Sequence, residues 1–105
     1  MNKKIITSKE QLLNFLCENV WVKNLAIEEK LNVSLSVKTR LIEGTKKSME
    51  RANNCKSSEE IALFFFNALV SEPGKNHHEN IKRYNLISFE DVREEFEKLC
   101  YGEDV

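Results

Sequence analysis

Cysteine, histidine and carboxylate side chains are the groups of this chain that could do chemistry. Cys55 or Cys100 could serve as a nucleophile, with His77 or His78 as its base. Known cysteine enzymes have characteristic residues around the nucleophile, and neither cysteine has such a flanking pattern. We therefore interpret the cysteines as small core or surface side chains.

The nearest approach to a metal-binding motif is His77-His78-Glu79. Adjacent residues point in different directions from a helix or a strand, so two neighbouring imidazoles rarely bind one ion. The three cysteines are far apart and form no CxxC pair, which favours reduced thiols in a cytoplasmic protein. We expect no metal and no cofactor.

Carboxylates are concentrated near the end of the chain. A general acid needs burial to raise its pKa, whereas these residues crowd what we predict to be an exposed helix face. The three scattered glycines form no phosphate-binding loop. The sequence therefore predicts a protein that is not an enzyme. The carboxylates in question are Glu90, Asp91, Glu94, Glu95 and Glu97.

Charge is divided by position along the chain. Residues 1–57 contain eleven Lys/Arg against six Asp/Glu, a balance of +5, and residues 58–105 contain five against eleven, a balance of −6. The total of −1 therefore hides two segments of opposite sign. If the segments fold into separate faces, each face can attract a partner of the other sign.

Length and composition indicate one helical domain over residues 1–105. A chain of 105 residues has no room for two cores, and three glycines with one proline favour helices over a turn-rich β structure. No segment has the long apolar run of a secretory signal or the ~20 apolar residues of a membrane span. We expect a cytoplasmic protein that does not bind a membrane.

Capping residues predict where the first helices begin. Ser8 followed by Gln11 matches a capping box for a helix through about Asn19. We interpret residues 20–31 as a second helix and residues 32–34 as a turn. Ser34 or Ser36 then caps a third helix, which runs to about residue 53 and has a thin apolar stripe beside a basic face.

The fourth helix is expected to be the centre of the fold. Ser57 and Glu60 form a capping box, and residues 61–70 are apolar nearly all round. Pro73-Gly74 ends this helix, and residues 75–85 are predicted to be a polar connection with at most one helical turn. The fold class is therefore an all-α bundle of four to five helices with helix 58–71 central.

The last helix has clear signals at both ends. Ser88 and Asp91 have the spacing of a capping box. Ile87 and Val92 are placed to form a hydrophobic staple, and Gly102 is expected to be the C-cap.

Residues 25–41 resemble a helix-turn-helix, in particular the DNA-binding region four of sigma factors and related response-regulator domains. The resemblance implies that a recognition helix presents five residues to DNA, with the +5 segment supplying phosphate contacts. The alternative interpretation of the same residues is a turn between two bundle helices. The implied DNA-binding residues are Ser34, Ser36, Lys38, Thr39 and Arg40.

Residues 60–96 are similar to the C-terminal half of colicin D-type immunity proteins. The similarity lies in Glu60-Ile61 through Leu63-Phe64-Phe65, in Glu72-Pro73, in Tyr84-Asn85-Leu86 and in Val92-Arg93-Glu94-Glu95-Phe96. Members of that family are small cytoplasmic helical bundles that inactivate a nuclease toxin by placing acidic residues in its basic substrate cleft. By position, the resemblance transfers this role to Glu72, Glu94 and Glu95.

Elementary electrostatics supports the same hypothesis. A nuclease must present Lys and Arg to phosphates, so a rigid acidic surface is suited to block it with a fast, salt-sensitive association. We predict a protein-binding inhibitor of the bacteriocin-immunity type whose partner is a basic protein, and the alternative is a small DNA-binding regulator using residues 25–41. The predicted partner-binding residues are Glu72, Glu90, Asp91, Glu94 and Glu95.

Overall fold

The computed structural model of the protein describes residues 4–70 and 75–102, with the backbone alone for residues 75–78. All regular structure in these ranges is helical, which confirms the all-α prediction. None of the described helices combines the length and apolar character needed to cross a membrane. The elements in order are α1 (Lys9–Leu16), a π-helical turn (Cys17–Trp21), α2 (Val22–Lys30), α3 (Leu35–Asn53), α4 (Ser58–Val70), α5 (Lys75–Tyr84), a 3₁₀ turn (Glu90–Val92) and α6 (Arg93–Tyr101).

One continuous helix replaces the two that the sequence predicted over residues 8–31. Its start is as expected, because Ser8 Oγ accepts from the Gln11 N–H at 3.3 Å and Gln11 Oε1 accepts from the Ser8 N–H at 3.3 Å. The expected break between Asn19 and Val20 is wrong, since α1, the π turn and α2 follow one another without interruption.

The π turn has a physical explanation in the spacing of the buried side chains. An α-helix turns by about 100° per residue, so each step of four residues overshoots a full turn by about 40°. A stripe with a four-residue repeat would therefore wind away from the core. The wider π turn rotates less per residue, which brings the stripe back towards the core. The stripe consists of Leu12, Leu16, Val20, Asn24 and Glu28, all buried.

The long helix organises the rest of the chain. Its first half, α1, packs against α4 and α6, whereas α2 and the π turn pack against α3. The basic third helix and the acidic last helix therefore pack on different parts of one long helix. The molecule is correspondingly elongated, with extents of 48 × 22 × 20 Å.

Helix α4 contributes its apolar residues to the core, as expected, but not on all sides. Ile61 and Phe65 have no exposed surface, and Phe65 stacks on Phe96 of α6 with ring centroids 3.9 Å apart. On the outer side of the same helix, Leu63 is 61% exposed and Val70 is 81% exposed. The nearly uniform apolar sequence of α4 therefore does not mean that neighbours cover it completely.

Helix α5 corrects the expectation of a polar connection over residues 75–85. It runs from Lys75 to Tyr84 and ends at Asn85, whose φ of 55° lies in the left-handed region. The Leu86 N–H then donates to the Ile81 carbonyl at 3.0 Å, which is the closing bond of a Schellman motif. This helix was not predicted because helices were recognised by their apolar stripes, and residues 75–84 contain almost no apolar side chains.

Candidate functional site

The acidic surface of the last helix is held in place by the segment that precedes it. The Asn24 side chain makes two hydrogen bonds to the Ile87 backbone, at 2.9 and 2.7 Å. Phe89 stacks on Phe65 with ring centroids 4.8 Å apart and contacts Trp21 edge-on at 6.2 Å. Backbone and aromatic contacts thus both fix the entry into α6.

The predicted N-cap of this helix is present. The Ser88 N–H donates to Asp91 Oδ2 at 2.9 Å, and the Asp91 N–H donates to Ser88 Oγ at 3.3 Å. The first turn is a 3₁₀ turn, so the α-helix proper begins at Arg93, later than expected. One carboxylate of the predicted binding set, Asp91, therefore has a structural role as well.

The far end of α6 is anchored by the chain's N-terminal segment. The Ile6 N–H donates to the Cys100 carbonyl at 2.9 Å, and Thr7 Oγ1 donates to the Leu99 carbonyl. Gly102, with φ of 89°, closes the helix as the expected C-cap. The last carbonyls of a helix have no partner within the helix. In α6 the Leu99 and Cys100 carbonyls accept hydrogen bonds from the N-terminal segment, so α6 is fixed at both ends.

Four of the five predicted partner-binding residues lie together on the outer side of this helix. Glu90, Asp91, Glu94 and Glu95 are all exposed, opposite the buried Phe96. The fifth residue, Glu72, falls outside the described residues, so the prediction for it stays open.

Two basic residues of the same helix offset part of this acidic surface. Arg93 pairs with Glu97 at 3.0 Å and with Glu90 at 3.5 Å, and Lys98 Nζ lies 3.8 Å from Glu94. The hydrogen bond to Glu97, followed by the charges of Glu90 and Glu97, raises the pKa of Arg93. The net negative charge of this surface is therefore smaller than its four carboxylates and Glu97 alone would give.

The basic and acidic segments do not neutralise one another in the part of the chain that the structure describes. The ion pairs found there all join residues three or four positions apart within residues 90–98. The acidic residues at the start of α4 serve its own N-terminus, since Glu60 Oε2 accepts from the Lys56 N–H at 2.7 Å. In a capping box with Ser57, the Glu60 carboxylate would accept from the Ser57 N–H. It accepts from the Lys56 N–H instead, one residue earlier, although the Glu60 N–H does donate to Ser57 Oγ at 3.2 Å.

The alternative site at residues 25–41 forms a helical hairpin. Helix α2 ends at Lys30 and α3 begins after Ser34, whose Oγ accepts from the Val37 N–H at 3.3 Å. Ser36, Thr39 and Arg40 are exposed and line a shallow open depression together with Leu35 and Glu43.

Lys38, another residue predicted to contact DNA, has a partner inside the protein. Its Nζ donates to the Glu29 carbonyl at 2.9 Å, near the end of α2. A cation at a helix C-terminus interacts favourably with the helix dipole. Lys38 therefore stabilises the hairpin, which reduces its availability for a phosphate.

Two polar residues of the long helix are buried although the sequence did not predict it. Asn24 and Glu28 occupy the four-residue stripe of the long helix, in phase with Leu12 and Leu16. A polar residue on an apolar stripe is a usable signal for a buried hydrogen bond. The signal was hidden because residues 8–19 and 20–31 were treated as separate helices.

The thiols are free, and one lies in the core. Cys100 is fully buried, and its burial, followed by the charge of Glu97, raises the pKa of its thiol to about 11. Burial likewise raises the pKa of Cys55. The described residues contain no group of three or more His, Cys, Asp or Glu side chains able to hold a metal ion. The side chains of His77 and His78 lie outside the described part of the structure.

In comparisons with known proteins, no protein-family model, curated protein or solved structure matches this chain.

Proposed function

We propose that this protein is a non-catalytic inhibitor that binds a basic, nuclease-type toxin and thereby acts as an immunity protein in the cytoplasm. The observation that supports this proposal is a set of exposed carboxylates on a helix fixed at both ends. Glu90 of the 3₁₀ turn and Glu94 and Glu95 of α6 are exposed to solvent, while Phe96 on the opposite side of α6 stacks on Phe65. A rigid acidic surface loses little entropy when it binds a basic cleft.

The proposed mechanism is occlusion without chemistry. The carboxylates of α6 take the positions that nucleic-acid phosphates would occupy against the Lys and Arg of the toxin's cleft. Complementary charge accelerates association, and exposed charges are screened by salt. Binding should therefore be tight at low ionic strength and weaker at high ionic strength, mainly through a slower association rate.

The partner can be identified by capture on the tagged protein at low salt, with a high-salt capture as the control. The captured protein is then purified and assayed for cleavage of RNA and DNA, with and without an equimolar amount of this protein. The proposal requires a basic nuclease that this protein inhibits. A captured protein without nuclease activity would contradict it.

A pair of double variants locates the binding surface. Glu94→Lys with Glu95→Lys reverses two charges on α6, whereas Glu43→Lys with Glu50→Lys makes the same net change at exposed positions of α3. We expect the α6 variant to lose inhibition and the α3 variant to retain it, with both remaining helical by circular dichroism. Equal inhibition by the two variants would refute the α6 surface.

A DNA-binding regulator is the second candidate, favoured by the exposure of Ser36, Thr39 and Arg40 on one part of α3. Arg40→Gln tests it more cleanly than a change at Lys38, because Lys38 also contacts the Glu29 carbonyl. Under this candidate Arg40→Gln weakens DNA binding, and the α3 double variant at Glu43 and Glu50 strengthens it. The inhibitor proposal predicts that neither the Arg40→Gln variant nor the α3 double variant binds DNA.

A further inference from the structure

Glu28 is a carboxyl group enclosed where α2 meets α3. The residue is 1% exposed, and its two carboxyl oxygens lie 3.0 and 2.8 Å from Oγ1 of Thr45. The same Thr45 oxygen lies 3.2 Å from the Leu41 carbonyl oxygen. An ionised carboxylate in an apolar interior is costly unless several donors or a cation compensate it.

The Thr45 hydroxyl has one proton to donate, so two hydrogen-bonding arrangements are possible, and the protonation of Glu28 determines which one forms. If Glu28 is ionised, that proton must go to the carboxylate, and the bond to the Leu41 carbonyl is lost. If Glu28 is protonated, its own hydroxyl donates to Thr45 Oγ1, which in turn donates to the Leu41 carbonyl. The protonated form therefore lets both hydroxyl groups donate a hydrogen bond, and the ionised form leaves a buried charge with one donor.

None of the described residues forms an ion pair with Glu28. Burial is the larger influence on the pKa of Glu28 and raises it, while the hydrogen bond from the Thr45 hydroxyl lowers it. The other titratable or charged groups of the packed elements are exposed or half-buried. They are Cys17 and Glu18 on the π turn, Lys23, Glu29 and Lys30 on α2, and Lys38, Arg40, Glu43, Lys46, Lys47, Glu50 and Arg51 on α3.

We propose that Glu28 and Thr45 form a proton-dependent latch between α2 and α3, closed while Glu28 holds its proton and loosened when the proton is lost. The direction follows from linkage. The folded state retains a proton that the unfolded chain releases at the ordinary pKa of 4.5. The latch therefore stabilises the fold fully below that pH and loses its contribution as the pH rises through the higher folded-state value.

The test is urea unfolding of the full chain at a series of pH values from 4.5 upward, monitored by the fluorescence of the buried Trp21. Glu28→Gln keeps the shape of the protonated acid and has no proton to lose. Glu29→Gln, at the exposed neighbouring position, is the matched control. We expect the unfolding midpoint of the wild type to fall relative to Glu28→Gln as the pH rises from 4.5 and then to level off. Glu29→Gln should follow the wild type.

A second pair of variants tests the role of the hydroxyl. Thr45→Val removes the group that lowers the pKa of Glu28, so the loss of stability should extend to higher pH. Thr45→Ser retains the hydroxyl and should behave as the wild type.

Titration of the Glu28 side-chain carboxyl by carbon-13 NMR gives a direct measurement on the wild type, independent of whether any variant folds. The proposal requires that this carboxyl titrate above 4.5. A midpoint at or below that value, or equal pH courses for the wild type and Glu28→Gln, would overturn the latch.

Discussion

The side-chain amide of Asn24 forms a pair of hydrogen bonds with the backbone of Ile87. Asn24 Nδ2 donates to the Ile87 carbonyl at 2.9 Å, and Asn24 Oδ1 accepts from the Ile87 N–H at 2.7 Å. Asn24 is buried, at 7% exposed. The amide takes the place of a backbone partner for a segment that lies outside any helix, and it thereby fixes the entry to α6 against the long helix.

Asn24→Ala should lower the free energy of unfolding by about 2–6 kcal/mol, because each of two shielded backbone groups loses its partner at a cost of ~1–3 kcal/mol. Chemical denaturation measures this change. Asn14→Ala, at an exposed position of α1, is the control and should cost about 0.5 kcal/mol or less. A similar small effect for Asn24→Ala would show that the pair does not stabilise the fold.

The two sides of α4 should respond differently to truncation. Phe65 is fully buried and stacks on both Phe89 and Phe96, so Phe65→Ala should cost about 3–5 kcal/mol. Leu63→Ala, two residues earlier, removes a side chain that is 61% exposed and should cost less than about 1 kcal/mol. Thermal or urea unfolding distinguishes the two, and equal losses would contradict the described burial.

Removal of Arg93 should separate stability from binding. Both of its ion pairs are exposed, so Arg93→Gln should change the free energy of unfolding by about 0.5 kcal/mol or less. If α6 is the surface that binds a basic partner, the same change makes it more negative and should raise the association rate at low salt.

Arg51→Gln on α3 is the control, because it changes the net charge equally at an exposed position away from α6. Stopped-flow or surface-based kinetics with the identified partner measures both rates. An equal increase for both variants would indicate a general charge effect and not a surface on α6.

Cys100 should be the slowest thiol to react in the folded protein. It is fully buried, and the pKa of its thiol is raised from 9.0 to about 11, whereas Cys17 and Cys55 are half-buried. Alkylation of the native protein at about pH 8, followed by peptide mass spectrometry, should find Cys100 modified last. Equal labelling rates at the three positions would contradict the packing of α6.

The same thiol should contribute to alkaline unfolding. The folded state keeps a proton that the unfolded chain releases near pH 9.0. The contribution of Cys100 to stability is therefore complete below that pH and is lost as the pH rises through about 11. Cys100→Ala should show a smaller decline over this window than the wild type does, as measured by urea unfolding at each pH.

Local signals determined much of the secondary structure. The capping pairs Ser8 with Gln11 and Ser88 with Asp91, the cap at Ser34 and the glycine at 102 are all found as predicted. Each of these depends on residues within about one turn of one another, so the sequence contains the whole interaction. The concentration of carboxylates on one side of the last helix follows from the helical repeat in the same way.

Other features depended on contacts between distant parts of the chain. The sequence alone divided residues 8–31 into two helices, and only the packing of α4, α6 and α3 along one side explains why a π turn joins them. Likewise, nothing near Asn24 or Glu28 in sequence indicates Ile87 or Thr45 as the partner. Local hydrogen bonds thus fixed the helices and their ends, whereas burial against distant elements decided which polar groups lie inside, because only tertiary structure removes water from them.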